Sequence, residues 1–223
     1  MKMKISLLQV TIPFKPDSKI GVTGTGILIL LLAVLSTALP FKSSATSTNV
    51  VPAKFMSQSD IERARDYFTD TELTTHEGRK IRFYSDVLDG RVVMVNVMYT
   101  SCKGACPMMT QMLSQVSREL GDLYGRDIHF VSVTNDPERD TPEALSEFAR
   151  KQNVNLDGWT FLTGPKQQVD NVIKKIGLYT PEFEQHKAMI LLGNTRTGHW
   201  QKVAPNLPYQ AIAAKLKELA AGR

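Results

Sequence analysis

The stretch that decides the fold is residues 92–109, VVMVNVMYTSCKGACPMM. Its first eight residues are apolar on both alternating faces apart from Asn96, which is the pattern of a central strand covered on both sides. Pro107 then opens a segment with apolar residues at helical spacing, which predicts a helix to about Leu123. The sequence thus predicts a buried strand, a short loop with two cysteines and a helix, in that order.

Hydrophobic periodicity and turn residues predict the elements on either side of this stretch. Upstream we expect a short helix at 60–68 and a hairpin at 73–83. Downstream we expect, in order, strand 128–133, a helix from 140 or 141 to 152, strand 159–162, helix 165–176, a hairpin of strands 188–192 and 199–203, and helix 208–221. The first β-α-β unit implies parallel strands joined by a right-handed crossover. The order is that of an α/β, thioredoxin-like fold with an N-terminal hairpin and an inserted strand and helix.

The N-terminal segment has the features of a membrane anchor or a signal sequence. Residues 27–35, ILILLLAVL, are uninterrupted apolar sequence, and the wider segment 20–41 is about as long as the shortest membrane spans. Cleavage is the alternative, because the strict apolar core has the length of a signal-peptide core and small residues follow it. Lysines precede the segment, which predicts a cytoplasmic N-terminus.

Charge and composition divide the chain further. Four lysines and one aspartate lie in residues 1–41, so this stretch contributes +3 to the net charge of +5. The remainder is close to neutral, which gives no electrostatic case for nucleic-acid binding. We expect a cytoplasmic region 1–19, a transmembrane anchor or signal sequence 20–41, a linker 42–58 and a folded domain 59–223.

The chemistry of the domain is expected at Cys102 and Cys106, which are its two cysteines. They lie where a central strand ends, and functional sites of open α/β sheets gather at the carboxyl ends of strands. If Pro107 is the first helical residue, Cys106 is the N-cap, where the helix dipole favours a thiolate. Three residues separate the cysteines, instead of the two of a typical redox pair, and this wider spacing suits a shared metal ion. A redox pair and a structural pair are the alternatives.

His186 is the third predicted ligand, for topological reasons. The strand that begins near residue 188 is expected to run antiparallel to the central strand, so the loop before it meets the cysteine loop. That loop reads EQHK, without the cis-proline that thiol reductases have there. Two thiolates and an imidazole favour copper over hard cations. Zinc accepts the same donors but usually requires a fourth ligand or a water.

Other candidate residues are interpreted as structural. We expect Met108 and Met109 to be core residues of the helix face, although both could serve as transient thioether ligands. Asp136 and Pro137 are expected to shape a loop, with Asp140 or Thr141 capping the next helix. The remaining histidines are expected to be structural or surface residues: His76, His129 and His199.

Four motifs in this order resemble the Sco/SenC family. They are the cysteine segment CKGACP at 102–107, the stretch SVTNDPERDTPEAL at 132–145, the segment WTFLTG at 159–164, and His186 before an apolar strand. The resemblance extends over roughly residues 68–205. One departure is Gln185, where the oxidase-assembly branch often has Asp, and the chain is more similar to a Sco-like side branch.

The resemblance implies a membrane-anchored copper protein whose domain faces the periplasm or the mitochondrial intermembrane space. The lack of an Arg-rich leader favours the bacterial inner membrane, with the domain on its periplasmic side. Cys102, Cys106 and His186 would bind Cu(I) or Cu(II). The implied function is a metallochaperone, not an enzyme, that serves the copper centre of cytochrome c oxidase or a related respiratory copper enzyme. The implied partners are a client of the oxidase subunit II type and an upstream copper donor.

Two enzymatic alternatives follow from the same cysteines. A thiol–disulfide oxidoreductase would keep client cysteines reduced and use Cys102 as the attacking thiol. A peroxidase of related fold is disfavoured, because the chain lacks the P-x-x-x-T-x-x-C arrangement around Cys102.

Overall fold

The cysteine loop joins an interior strand of the sheet to the longest helix among the described residues. A computed structural model describes residues 55–179 and 189–222, all within the unit Asn49–Arg223. The helices are α1 (Gln58–Phe68), α2 (Ala105–Leu120), α3 (Pro142–Lys151), α4 (Lys166–Lys175) and α5 (Tyr209–Ala220). The strands are β1 (Glu72–Thr75), β2 (Lys80–Arg82), β3 (Val92–Met98), β4 (Ile128–Thr134), β5 (Trp159–Thr163), β6 (Ile190–Asn194) and β7 (His199–Val203).

The seven strands form one sheet in the order β2-β1-β5-β4-β3-β6-β7. Strands β3, β4 and β5 are parallel, whereas β6 runs antiparallel to β3 and β1 runs antiparallel to β5. Two antiparallel hairpins, β1–β2 and β6–β7, thus flank a parallel centre. The thioredoxin-like α/β fold with an N-terminal hairpin and an inserted strand and helix is confirmed.

Alternate side chains of β3 point to opposite faces of the sheet and join two different hydrophobic clusters. Val92, Met94 and Met98 join a cluster that we call the α2-side core, and Val93 and Val95 join a second cluster, the α4-side core. The α2-side core also includes Cys106, Leu113, Val116, Phe130, Leu145, Trp159, Phe161, Ile190 and Leu216. The α4-side core also includes Phe68, Leu73, Phe83, Tyr84, Val131, Leu162, Val169, Val172 and Ile173.

The segment after β2 was not predicted. Residues Phe83–Leu88 form a short π-helical segment after β2, where the sequence suggested the end of a hairpin strand. Phe83, Tyr84 and Leu88 are fully buried in this segment. Burial of these large side chains in the α4-side core explains why the chain coils here instead of continuing the strand.

The predicted membrane segment 20–41 and most of the predicted linker lie outside the described residues. Across 55–179 and 189–222, no helix has both the length and the apolar character needed to cross a membrane.

Candidate metal centre

The cysteine loop lies at the carboxyl end of β3, as predicted. Helix α2 starts at Ala105 with Gly104 as its N-cap, so the prediction that Cys106 is the N-cap was wrong. Cys106 lies instead within the first helical turn. Proline lacks a backbone N–H, and the first-turn N–H groups have no partner within a helix, so Pro107 fits at the third helical position as well as at the first.

The two sulfurs converge across the start of α2. The backbone N–H of Cys106 donates a hydrogen bond to Sγ of Cys102 over 3.4 Å. The Cys106 thiol is close enough to influence the pKa of Cys102, and both cysteines are free thiols. Cys102 is partly exposed, whereas Cys106 is buried in the α2-side core.

The two thiols have opposite pKa shifts. Partial burial alone would raise the pKa of Cys102, but hydrogen bonds from the backbone of Cys106 and Gly104, together with the Cys106 thiol and the Tyr99 side chain, lower it overall. The first-turn N–H groups of α2 therefore stabilise the thiolate of Cys102 and not that of Cys106. Burial raises the pKa of Cys106 to about 12, and the nearby Cys102 and Asp140 act in the same direction.

His186 lies in the segment 180–188, outside the described residues. Within the described ranges, no group of three or more His, Cys, Asp or Glu side chains is arranged to hold a metal ion. Two adjacent thiols are a partial donor set for a soft metal, since thiolate favours Cu(I) and zinc over hard cations. The described residues thus place two thiols together at the predicted site.

The other histidines do not approach the cysteine pair as ligands. His76 is buried, with its Nδ1 accepting a hydrogen bond from the Phe161 backbone N–H. His129 lies within β4, and His199 begins β7 as an exposed residue. Their structural or surface interpretation agrees with these positions.

The two methionines after Pro107 have different environments. Met109 is buried as expected, but the expectation for Met108 was wrong, because its side chain is 72% exposed beside the cysteine loop. The buried face of α2 follows Met109, Leu113 and Val116 at helical spacing, and Met108 lies about 100° away from that face.

The stretch after β4 contains a site residue that the sequence assigned only loosely. Thr141 is the N-cap of α3, with its Oγ1 accepting from the Ala144 N–H at 3.2 Å. Asp140 is completely buried, and its carboxylate accepts hydrogen bonds from Thr100 and Thr134. The buried carboxylate of Asp136 pairs with the exposed side chain of Arg139. The polar run DPERDT signalled a special loop, but not the contact between Asp140 and the cysteine loop.

A family model described as SCO1/SenC matches residues 60–221. The chain belongs to the SCO1/SenC family. This match contains both cysteines and every described strand and helix from α2 to α5.

A relative and two solved structures illustrate the similarity. The SCO1 protein homolog of Bacillus subtilis is 32% identical over 91 residues, which cover 41% of this chain and 46% of that protein. BsSco, described as a member of the Sco family of cytochrome c oxidase assembly proteins with a disulfide switch, is 24% identical with a TM-score of 0.58, covering 67% of this chain and 90% of that chain. Yeast Sco1 with copper bound is 21% identical with a TM-score of 0.57, covering 67% and 89%. These two structures share the fold with this chain.

Proposed function

We propose that this Sco/SenC protein is a copper metallochaperone that binds Cu(I) or Cu(II) through Cys102, Cys106 and His186. It would deliver the metal to the copper centre of cytochrome c oxidase or a related respiratory copper enzyme. The observation that carries the proposal is the convergence of two reduced thiols at the first turn of α2. One of these thiols is partly exposed, and its pKa is lowered.

The chemistry of the donors supports copper. Cys102 is favoured as a thiolate by backbone N–H groups, and a metal would favour the thiolate form of Cys106 against the effect of burial. Sulfur donors select soft ions such as Cu(I). The related yeast Sco1 has been solved with copper bound, and it has the same fold.

The register of the sheet supports His186 as the third ligand. Strand β6 begins at Ile190, which pairs with Asn96 near the carboxyl end of β3. In the sequence, His186 precedes Ile190 by only four residues. A ligand that enters from this side would meet the cysteine loop at the end of β3.

Release of the metal would occur by ligand exchange. Cys102 is partly exposed, so an incoming client thiol could approach it, while the buried Cys106 keeps its place in the core. The client would be an oxidase subunit II type of protein, with an upstream copper donor loading the site. We propose that an N-terminal anchor at 20–41 holds the domain on the extracytoplasmic side of the bacterial inner membrane.

The test is copper stoichiometry and visible absorption of the reduced full-length protein. We expect one copper per chain, with thiolate-to-Cu(II) charge-transfer absorption. Cys102→Ser, Cys106→Ser and His186→Ala should each abolish or change this spectrum. His199→Ala is the matched control, because His199 is exposed at the start of β7. An unchanged spectrum in His186→Ala would remove the histidine from the ligand set.

A thiol–disulfide oxidoreductase is the second candidate, and the unequal thiols favour it. An exposed thiol with a lowered pKa beside a buried thiol with a raised pKa is suited to attack by Cys102 and resolution by Cys106. The thiolate of Cys102 would attack a client disulfide and form a mixed disulfide. Cys106 would then displace the client thiol, leaving the client reduced and the Cys102–Cys106 pair oxidised.

Metal-free protein distinguishes the two candidates. Repeated reduction of a client disulfide by the metal-free dithiol, with a reductant that regenerates it, would support the oxidoreductase. In that reaction Cys106→Ser should accumulate the mixed disulfide. Copper binding without such turnover would favour the metallochaperone.

A further inference from the structure

The loop between β3 and α2 is tied to a different part of the chain by one buried carboxylate. Asp140 lies 40 positions after Thr100, and none of its surface is exposed. Its Oδ1 accepts a hydrogen bond from the Thr100 hydroxyl at 2.5 Å, and its Oδ2 accepts from the Thr134 hydroxyl at 2.5 Å. The Thr100 backbone N–H points between the two oxygens, at 3.1 and 3.3 Å.

These contacts join three elements around the site. Thr100 lies two residues before Cys102, Thr134 ends β4, and Asp140 itself precedes the cap of α3. The backbone N–H of Asp140 also donates to the Asp136 carbonyl, which fixes the loop that carries the carboxylate. The end of β4 and the start of α3 therefore hold the carboxylate in place. The cysteine loop binds to this carboxylate through Thr100.

A buried carboxyl group at this position needs a reason. Removing a carboxylate from water is costly unless donors replace the lost hydration, and here three donors from two threonines do so. Helix capping does not supply the reason, because Thr141 performs it. The hydrogen bonds of the Asp140 carboxylate instead hold Thr100, a residue of the cysteine loop, in place.

We propose that Asp140 is a positioning residue that holds the cysteine loop through Thr100 so that the sulfurs of Cys102 and Cys106 converge. The inference deepens the proposed function, because it concerns the same cysteine pair. It applies equally to the oxidoreductase alternative, since both functions need the two sulfurs together.

The experiment uses the full-length, metal-free protein and measures the equilibrium of the Cys102–Cys106 disulfide with dithiothreitol. The two thiols of dithiothreitol reduce the disulfide to the dithiol and form oxidised dithiothreitol, so the equilibrium constant reports the effective concentration of one cysteine at the other. For Asp140→Asn we expect the disulfide to become about tenfold easier to reduce, which corresponds to about 30 mV for this two-electron couple. Amide hydrogen exchange at residues 99–106 should also accelerate by about tenfold.

Two further variants make the test specific. Thr100→Val removes the hydroxyl donor but keeps Asp140 and the side-chain shape, and should change the equilibrium in the same direction as Asp140→Asn. If Asp140→Asn does not fold, Thr100→Val decides the outcome. Asp136→Asn is the matched control, because Asp136 is a buried acid of the same loop that pairs with Arg139 and lies outside the Thr100 contacts. It should change the equilibrium constant by less than about twofold.

Two results would overturn the proposal. One is an unchanged equilibrium in both Asp140→Asn and Thr100→Val, even if the free energy of unfolding falls, because a purely structural residue would behave in that way. The other is an equal change in Asp136→Asn. Neither measurement involves copper, so loss of the proposed copper function would leave this test intact, and its failure would leave the copper test intact.

Discussion

Cys102 and Cys106 lie four positions apart, but their surroundings differ. Cys102 is partly exposed and accepts hydrogen bonds from first-turn N–H groups of α2, which lower its pKa against the effect of its partial burial. Cys106 faces the α2-side core, where burial raises its pKa to about 12. The same two residue types therefore provide one reactive and one protected sulfur.

This difference predicts selective alkylation of the reduced, metal-free protein at neutral pH. The pKa of Cys102 is lowered and that of Cys106 is raised to about 12, so at neutral pH the thiolate fraction of Cys102 is much larger than that of Cys106. The thiolate of Cys106 is the more basic of the two and therefore the more nucleophilic. On a logarithmic scale, this offsets roughly half of the difference in thiolate fraction. We expect iodoacetamide to modify Cys102 at least about tenfold faster, as measured by peptide mass spectrometry.

The single-cysteine variants provide the control for this experiment. Cys106→Ser should keep fast alkylation, although it loses the influence of the Cys106 thiol on the pKa of Cys102. Cys102→Ser should react slowly, because the remaining thiol is buried. Equal rates in the two variants would contradict the assignment of Cys102 as the accessible thiolate.

At the scale of elements, the β1–β2 turn is attached to the sheet through His76. Its backbone N–H donates to the Phe161 carbonyl, its Nδ1 accepts from the Phe161 N–H, and its ring meets the Phe161 ring edge to face. Its carbonyl accepts from the Ser146 hydroxyl of α3 at 2.6 Å. Burial lowers the pKa of His76, and its Nε2 is buried without a hydrogen-bond partner.

The lowered pKa of His76 predicts a pH-dependent loss of stability. Its folded pKa lies below the unfolded value of about 6.5, so the unfolded chain binds the proton more readily. Its contribution is complete above about pH 6.5 and is lost as the pH falls toward the folded pKa. His76→Asn keeps an acceptor for the Phe161 N–H but does not titrate in this range, and should show a smaller decline in the free energy of unfolding. Urea denaturation at pH 7, 6 and 5 measures the difference, and equal declines would contradict it.

The elements themselves were largely predictable, because their signals are local. The alternation in β3 and the apolar spacing in α2 each lie within one short window, so the order of strands and helices followed from the sequence. The start of α2 was placed two residues late, since a proline is compatible with several first-turn positions. The π-helical segment Phe83–Leu88 was missed, because it depends on burial against α1 and α4 that no local pattern contains.

Of the site, only the residues that lie close together in the sequence were predictable. The cysteine pair is a local motif, and its place after a central strand fixes its position in the fold. The role of Asp140 was not predictable, because its partners Thr100 and Thr134 come from two other segments. Nor did the spacing of the cysteines indicate which thiol is exposed, since that depends on how α2 packs on the sheet.

At the scale of the whole molecule, the sheet separates the α2-side core, which contacts the cysteine site, from the α4-side core, which does not contain either cysteine. Cys106 belongs to the α2-side core and Cys102 packs against it, whereas the α4-side core contains neither. Leu113 of α2 and Leu162 of β5 are fully buried leucines in the first and second core, respectively. They form a matched pair that tests whether the site depends on one core or on overall stability.

Leu113→Ala and Leu162→Ala should each lower the free energy of unfolding by about 2–5 kcal/mol, because each leaves a cavity in a packed core. Only Leu113→Ala should also change the equilibrium between the Cys102–Cys106 disulfide and dithiothreitol, since α2 carries Cys106 and is seated on the sheet partly through Leu113. Denaturant unfolding measures the first quantity, and thiol titration at equilibrium measures the second. An equal change of the disulfide equilibrium in Leu162→Ala would show that the site responds to global stability, because Leu162 reaches the cysteines only through the sheet.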